Sequence, residues 1–215
     1  MSALTPTGSP SFEAHPATGG TAIKALEDGS FVTTLAPLVN NAGDTSLTVS
    51  VIAKIMPNAQ IGYLLQASAP NNFEILYNGS GQLLITVVGN GGATTKITTG
   101  AFDDGVERLY IAHFSTTAVD VSLHTGVYAP AEVMSLAPVT TNASNFLNWV
   151  TPSLVTVNTG SAGSFPLELN STMVQLAAWH NQPVPTVSDC QNVLDGYLTP
   201  LNVTPTLVYN TVQQR

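Results

Sequence analysis

Between residues 45 and 56 the chain alternates. Leu47, Val49, Val51, Ala53 and Ile55 are separated by Thr48, Ser50, Ile52 and Lys54. Side chains of an extended backbone point to opposite faces at every second residue, so this spacing predicts a β-strand with one apolar face and does not suit the 3.6-residue period of a helix. Pro57-Asn58 ends the run, and similar segments follow. Residues 61–67 predict a second strand. Residues 73–77 and 82–88 flank Asn78-Gly79-Ser80-Gly81, a turn sequence between two apolar runs that predicts a hairpin. A polar strand at 94–99 follows the Gly89-Asn90-Gly91-Gly92 turn. After Asp103-Asp104-Gly105 comes a further hairpin, 109–115 with 119–123. Residues 127–148 are looser and hold Pro130 and Pro138, while 150–158, 172–180 and 204–211 return to strand character.

One segment, 186–198, predicts a helix. Thr186 or Ser188 is the expected cap, Asp189 lies in the first turn, and Val187, Cys190, Val193 and Leu194 supply an apolar side that Gly196 cuts short. Many short strands between turn signals, with one short helix near the C-terminus, predict an all-β chain: an antiparallel two-sheet sandwich. The 215 residues suit one such domain at 23–215, with residues 1–22 as an extended N-terminal arm. Pro6, Pro10 and Pro16 disfavour a long element there. Two readings of this arm stand, a disordered tail or a segment that orders on a neighbouring subunit with Leu4 and Phe12 as anchors.

Charge narrows the functions. Only 8% of residues are charged, against roughly 25% in an ordinary soluble domain. The five cations (Lys24, Lys54, Lys96, Arg108 and Arg215) are scattered and the net charge is −8. Phosphate backbones and anionic membrane surfaces need clustered cations, so neither nucleic acid nor a membrane is an expected partner. The single Cys190 excludes an intrachain disulfide and reads as a small buried hydrophobe. The first residues lack the basic and apolar regions of a signal peptide, so synthesis in a cytoplasm is expected, with any export by another route such as cell lysis. Four Asn-x-Ser/Thr strings, at Asn78, Asn142, Asn170 and Asn202, then read as products of a Ser/Thr/Asn-rich composition.

The order of these pieces resembles the concanavalin A-like jelly roll in its laminin-G-like or pentraxin-like form. The resemblance covers roughly residues 30–200. It rests on the alternating strand at 46–55, Leu64-Leu65-Gln66-Ala67-Ser68, the hairpin at 73–88 and the pair 108–114 with 119–126. Met173 to Trp179-His180-Asn181-Gln182-Pro183-Val184 and the helix after it complete the match. What the resemblance implies is a jelly-roll sandwich of the lectin and glucanase type, as found in phage virion structural proteins. The chain departs from the family in three respects. His124-Thr125-Gly126 stands where Asn-Gly or Asp-Gly is frequent, and the sequence shows neither an acidic cluster matching the calcium site nor the Glu-x-Asp-x-x-Glu string of the glucanases, whose chemistry needs two close carboxylates.

Few groups remain as site candidates. His113 and His124 fall on strands expected to pair, but no third metal ligand is evident, so both read as ordinary polar positions. Asp103, Asp104 and Glu107 form the one dense acidic group, a weak calcium site or, in the preferred reading, a solvated turn. Trp179 reads as core, with a sugar-stacking platform as the alternative. Phe146, Asn148 and Trp149, in an Asn-rich loop, suit a glycan or a protein contact. The expected function is therefore non-enzymatic and without cofactor: a virion structural protein assembled in a host cytoplasm, either a capsid-decorating (cement) or a tail-associated bacteriophage subunit. It would pack against other capsid or tail subunits and against itself. The alternative is a lectin-like module that binds cell-surface glycan.

Overall fold

The computed structural model describes residues 5–7, 11–14, 21–24, 31–34, 45–57, 61–67, 73–80, 82–89, 92–97, 102–116, 121–129, 132–133, 137–141, 155–157, 171–186, 188–189 and 207–210. Among these the chain is all-β. The strands are β1 (Thr5–Thr7), β2 (Ser11–Ala14), β3 (Thr21–Lys24), β4 (Phe31–Thr34), β5 (Ser46–Lys54), β6 (Ile61–Ala67), β7 (Phe73–Asn78) and β8 (Leu83–Gly89). They continue with β9 (Gly92–Ile97), β10 (Glu107–Thr116), β11 (Val121–Ala129), β12 (Glu132–Val133), β13 (Ala137–Thr141), β14 (Val155–Val157), β15 (Thr172–His180) and β16 (Leu207–Asn210). Helical backbone among the described residues is confined to Ser188 and Asp189.

The strands form two hydrogen-bonded sheets. One has seven strands in the order β1-β4-β14-β6-β7-β8-β9. The other has nine, with β12-β11-β10-β5-β15-β3-β2 as its path, β13 also pairing β11 and β16 also pairing β15. The pairs described are antiparallel. Strand β5 sits between β10 and β15 in the nine-strand sheet, while its neighbours in sequence, β4 and β6, belong to the other.

Three turns follow directly from their residues. At the end of β7, Gly79 takes a φ of 75°, and Asn78 Oδ1 accepts from the backbone N–H groups of Ser80 and Gln82. Before β10, Gly105 takes a φ of 76° and donates to the carbonyl of Ile55 at 2.9 Å. After β15, Asn181 is left-handed at φ 56°. Its N–H bonds the Ser46 carbonyl, and its side-chain oxygen accepts from Thr45 N. Asn is one of the few non-glycine residues that enters this region readily. The predicted helix start is capped by Thr186, not Ser188: Asp189 N–H donates to Thr186 Oγ1, and the Asp189 carboxylate accepts from Thr186 N and Oγ1.

Strand β5 departs from the expectation of one buried face, because both of its faces are buried. Leu47, Val49, Val51, Ala53 and Ile55 are fully enclosed on one side, and Thr48, Ser50 and Ile52 are equally enclosed on the other. Its central place in the sheet explains the difference, since partners on both edges leave only the two faces open and the rest of the chain covers both. The stretch read as an arm carries β1 and β2. The first pairs β4 and the second pairs β3, so these segments extend the sheets of their own chain. Phe12 lies on β2 opposite Ile23, and Leu4 lies outside the described residues.

Candidate functional site

Two polar constellations stand out among the described residues. The first is a row across the nine-strand sheet. Register sets Thr48 of β5 between His113 of β10 and Trp179 of β15, and sets His113 opposite His124 of β11. An imidazole, a hydroxyl and an indole thus share one face. Thr48 Oγ1 and His113 Nδ1 are 2.7 Å apart. The hydroxyl donates to the ring nitrogen or accepts from it, according to the tautomer. Beside this row the Ser50 hydroxyl is buried without a hydrogen-bond partner among the described residues, while Ser46 Oγ donates to the Gln182 carbonyl at 2.7 Å.

Such a set could recognise the hydroxyls and ring of a sugar if it were open, but it is closed. Thr48 is 0% exposed, and His113 and Trp179 are each 1% exposed. Trp179 therefore occupies the core, as expected. The Thr48–His113 bond ties β5 to β10 through side chains as well as through the backbone.

The second constellation lies where the 102–106 loop enters β10. Arg108 grips Asp104 with two parallel bonds, Nη1 to Oδ1 at 2.6 Å and the second Nη to Oδ2 at 2.8 Å. The arginine side chain is only 4% exposed and the carboxylate 44%. The hydrogen bond from Arg108 holds Asp104 down to about 2, and the partial burial that opposes it is outweighed. Val106 N–H also donates to Asp104 Oδ1, fixing the turn. The guanidinium lies 5.6 Å from the Phe102 ring centroid, a cation–π contact. Phe102 in turn meets Tyr110 edge-to-face at 6.5 Å. Full burial pushes the Tyr110 phenol above its ordinary range, outweighing the pull of the nearby Arg108 charge. Tyr77 of β7 donates to Asp103 Oδ2 at 2.8 Å, so the same loop ties the seven-strand sheet to the nine-strand one.

The acidic group expected at Asp103, Asp104 and Glu107 is thus divided. Asp103 answers Tyr77, Asp104 answers Arg108, and Glu107 stands opposite Lys54 in the ladder. Among the described residues no three His, Cys, Asp or Glu side chains gather as metal ligands. None of the helical segments described is long and apolar enough to cross a membrane. Phe146, Asn148 and Trp149 lie outside the described residues. Sequence reading missed the enclosure of Arg108. The available signal was a lone cation placed just after an Asp-Asp-Gly turn in a chain with only five cations.

No protein-family model and no curated protein matches the sequence. Solved structures do match in shape. A full-length tailspike protein 2 from an Escherichia coli O157:H7 bacteriophage matches with a TM-score of 0.65 and 10% identity over 96% of this chain and 29% of that one. The binding domain of botulinum neurotoxin DC, in complex with SialylT, matches at 0.60 and 11% over 90% of this chain and 46% of that one. Domain 4 of AbnA, an extracellular arabinanase of Geobacillus stearothermophilus solved with arabinotriose, matches at 0.53 and 14% over 89% of this chain and 86% of that one. At such identities the likeness concerns fold: a β-rich architecture shared by phage tailspike and carbohydrate-binding proteins. The chain spans under a third of the tailspike and about half of the neurotoxin domain.

Proposed function

We propose that this chain is a lectin-like β-sandwich domain of a phage tail-associated virion protein, acting by packing against other subunits rather than by catalysis. The observation that carries this reading is the tailspike likeness, which extends over 96% of the chain. The two constellations fit the same reading, because their principal polar groups answer one another, Thr48 with His113 and Asp104 with Arg108. The sheets are inferred to stack as a concanavalin A-like jelly roll. Support comes from the relay Tyr77–Asp103 and Phe102–Tyr110, which runs from β7 to β10, and from the burial of both faces of β5. Tail association is preferred to capsid decoration because tailspike structures are among those the chain resembles. A subunit of this size would bury about 800 Å² on its side of each specific contact.

A second reading is glycan binding, favoured by the likeness to domains solved with SialylT and with arabinotriose. Phe146, Asn148 and Trp149 are its proposed contact residues. Light scattering on the purified chain, alone and with candidate tail subunits, tests the first reading. A self-assembled species or a stable complex is expected, and a lone monomer that captures no subunit overturns it. A glycan array tests the second. Binding that disappears in Phe146→Ala and Trp149→Ala supports that loop, and an array without a hit ends the reading.

A further inference from the structure

We infer that Asn78 is a covalent modification site, a deamidation position that the folded β7–β8 turn holds shut. Asn78 precedes Gly79, whose lack of a side chain leaves its amide nitrogen open to approach the Asn78 Cγ. In the reaction the Gly79 amide proton goes to water or hydroxide, and the nitrogen forms a bond to Asn78 Cγ. The Cγ–Nδ2 bond breaks and ammonia leaves, giving a cyclic imide. Water opens the imide at either carbonyl to aspartate or to its β-linked isomer. No oxidant or cofactor enters.

The turn restrains the attacked group from both of its atoms. Asn78 Oδ1 accepts from Ser80 N at 2.9 Å and from Gln82 N at 3.3 Å, and Asn78 Nδ2 donates to Gln82 Oε1 at 3.0 Å. A backbone bond from Asn78 N to the Gln82 carbonyl at 3.1 Å closes the loop around them. For Cγ to meet the Gly79 nitrogen the Asn78 side chain must rotate out of this clasp, because the approach is set by the torsions of Asn78 itself, whose amide and backbone the turn both hold. Attack geometry displaced by about 1 Å costs on the order of a hundredfold in rate. The reaction therefore proceeds through the fraction of molecules whose turn has opened. Gln82 is the guard, since among the described residues it alone contacts both ends of the amide.

The two products differ in what the turn can keep. An aspartate in place of Asn78 still accepts from Ser80 N and Gln82 N, and a flipped Gln82 amide donates to its second oxygen. The β-linked isomer lengthens the backbone by one carbon, which breaks the 78–82 closure.

The test is incubation of the whole protein at mildly alkaline pH, with peptide mapping that resolves intact Asn78, the aspartate product and the β-linked isomer over time. Native protein is expected to deamidate at least about tenfold more slowly than the same protein in urea. Gln82→Ala, checked by circular dichroism to be folded, is expected to react about fivefold faster than the parent, the rate equivalent of one hydrogen bond. Gln82→Glu, which keeps an acceptor for Nδ2, is expected to stay slow. Equal rates in the folded and urea-unfolded chains overturn the inference. So does a folded Gln82→Ala that reacts no faster than the parent. Should Gln82→Ala not fold, the native-to-urea ratio and the Gln82→Glu rate decide alone.

Discussion

Replacing Asp104 by Asn and, separately, Arg108 by Met should produce unequal losses of stability. The guanidinium is almost fully enclosed and the carboxylate nearly half exposed, at 4% and 44%. In Asp104→Asn the cap on Val106 N–H survives through the amide oxygen. The charge is lost, and the amide NH₂ faces one arm of the guanidinium. A carboxyl held at about 2 against an ordinary 3.8 represents ~2 kcal/mol at face value. Solvent screening at a half-exposed group leaves about 1 kcal/mol of that, and a buried cation deprived of its counter-charge adds a comparable cost. The expected loss is therefore about 1–2 kcal/mol. In Arg108→Met the buried charge itself is gone, an apolar chain fills the space, and water takes over the Asp104 oxygens. The expected change is within about 0.5 kcal/mol.

Urea unfolding followed by tryptophan fluorescence reads both variants, since Trp179 is buried in the parent. The pH dependence carries a definite sign. Asp104 titrates lower in the folded chain than in the unfolded one. Its contribution is whole above ~pH 5, shrinks as pH falls through 3.8, and is gone below about 2. The gap between parent and Asp104→Asn should close over that window and stay constant at higher pH. An Arg108→Met variant less stable than Asp104→Asn, or a gap that widens on acidification, would refute the account.

Three other substitutions have definite expected outcomes. Gly105→Ala places a Cβ 3.4 Å from the Met56 sulfur, an ordinary contact, so its cost should come from the φ of 76° alone: about 1 kcal/mol, read as a lower urea midpoint. Ser50→Ala removes a buried hydroxyl that has no hydrogen-bond partner among the described residues, and should leave the melting temperature unchanged or raise it by about 2–4 °C. Asp189→Ala removes the acceptor of Thr186 N and Oγ1 and should cost about 1 kcal/mol, with faster amide exchange confined to the helix start.

Strands whose residues alternated without interruption were legible, because period two fixes both the element and its facing. The observed bounds of β6 and β15 coincide with the segments 61–67 and 172–180, and the Asn78-Gly79 turn lies between β7 and β8 as its residues require. Strand β11 runs to Ala129, beyond the segment 119–123 that the sequence pattern predicts. Gly126 weakens the local signal there, but the ladder to β10 continues through Gly126 to Tyr128, so pairing overrides propensity. Strand β13 is hidden by Pro138, which is tolerated because β13 pairs only β11 among the described strands and so lies at a sheet edge. Burial of the Thr48 face was not legible. A hydroxyl looks the same in sequence whether water or a histidine answers it, and His113 lies 65 residues away from Thr48. The same holds for Arg108: the Asp-Gly turn beside it was plain, but the aromatic enclosure depends on strands brought together from elsewhere.

The place of β5 has a consequence for how the chain is made. One of its two neighbours, β10, begins at Glu107, and the other, β15, begins only at Thr172. Through synthesis of all the intervening residues, an apolar strand waits with at least one open edge. Pairings this distant in sequence close slowly, and an unpaired apolar edge is a template for the wrong neighbour. Production of this fold should therefore depend on conditions that slow aggregation during synthesis, such as lower temperature or a chaperone that shelters the nascent chain. A chain cut before Thr172 should collect as insoluble material rather than as a smaller soluble domain.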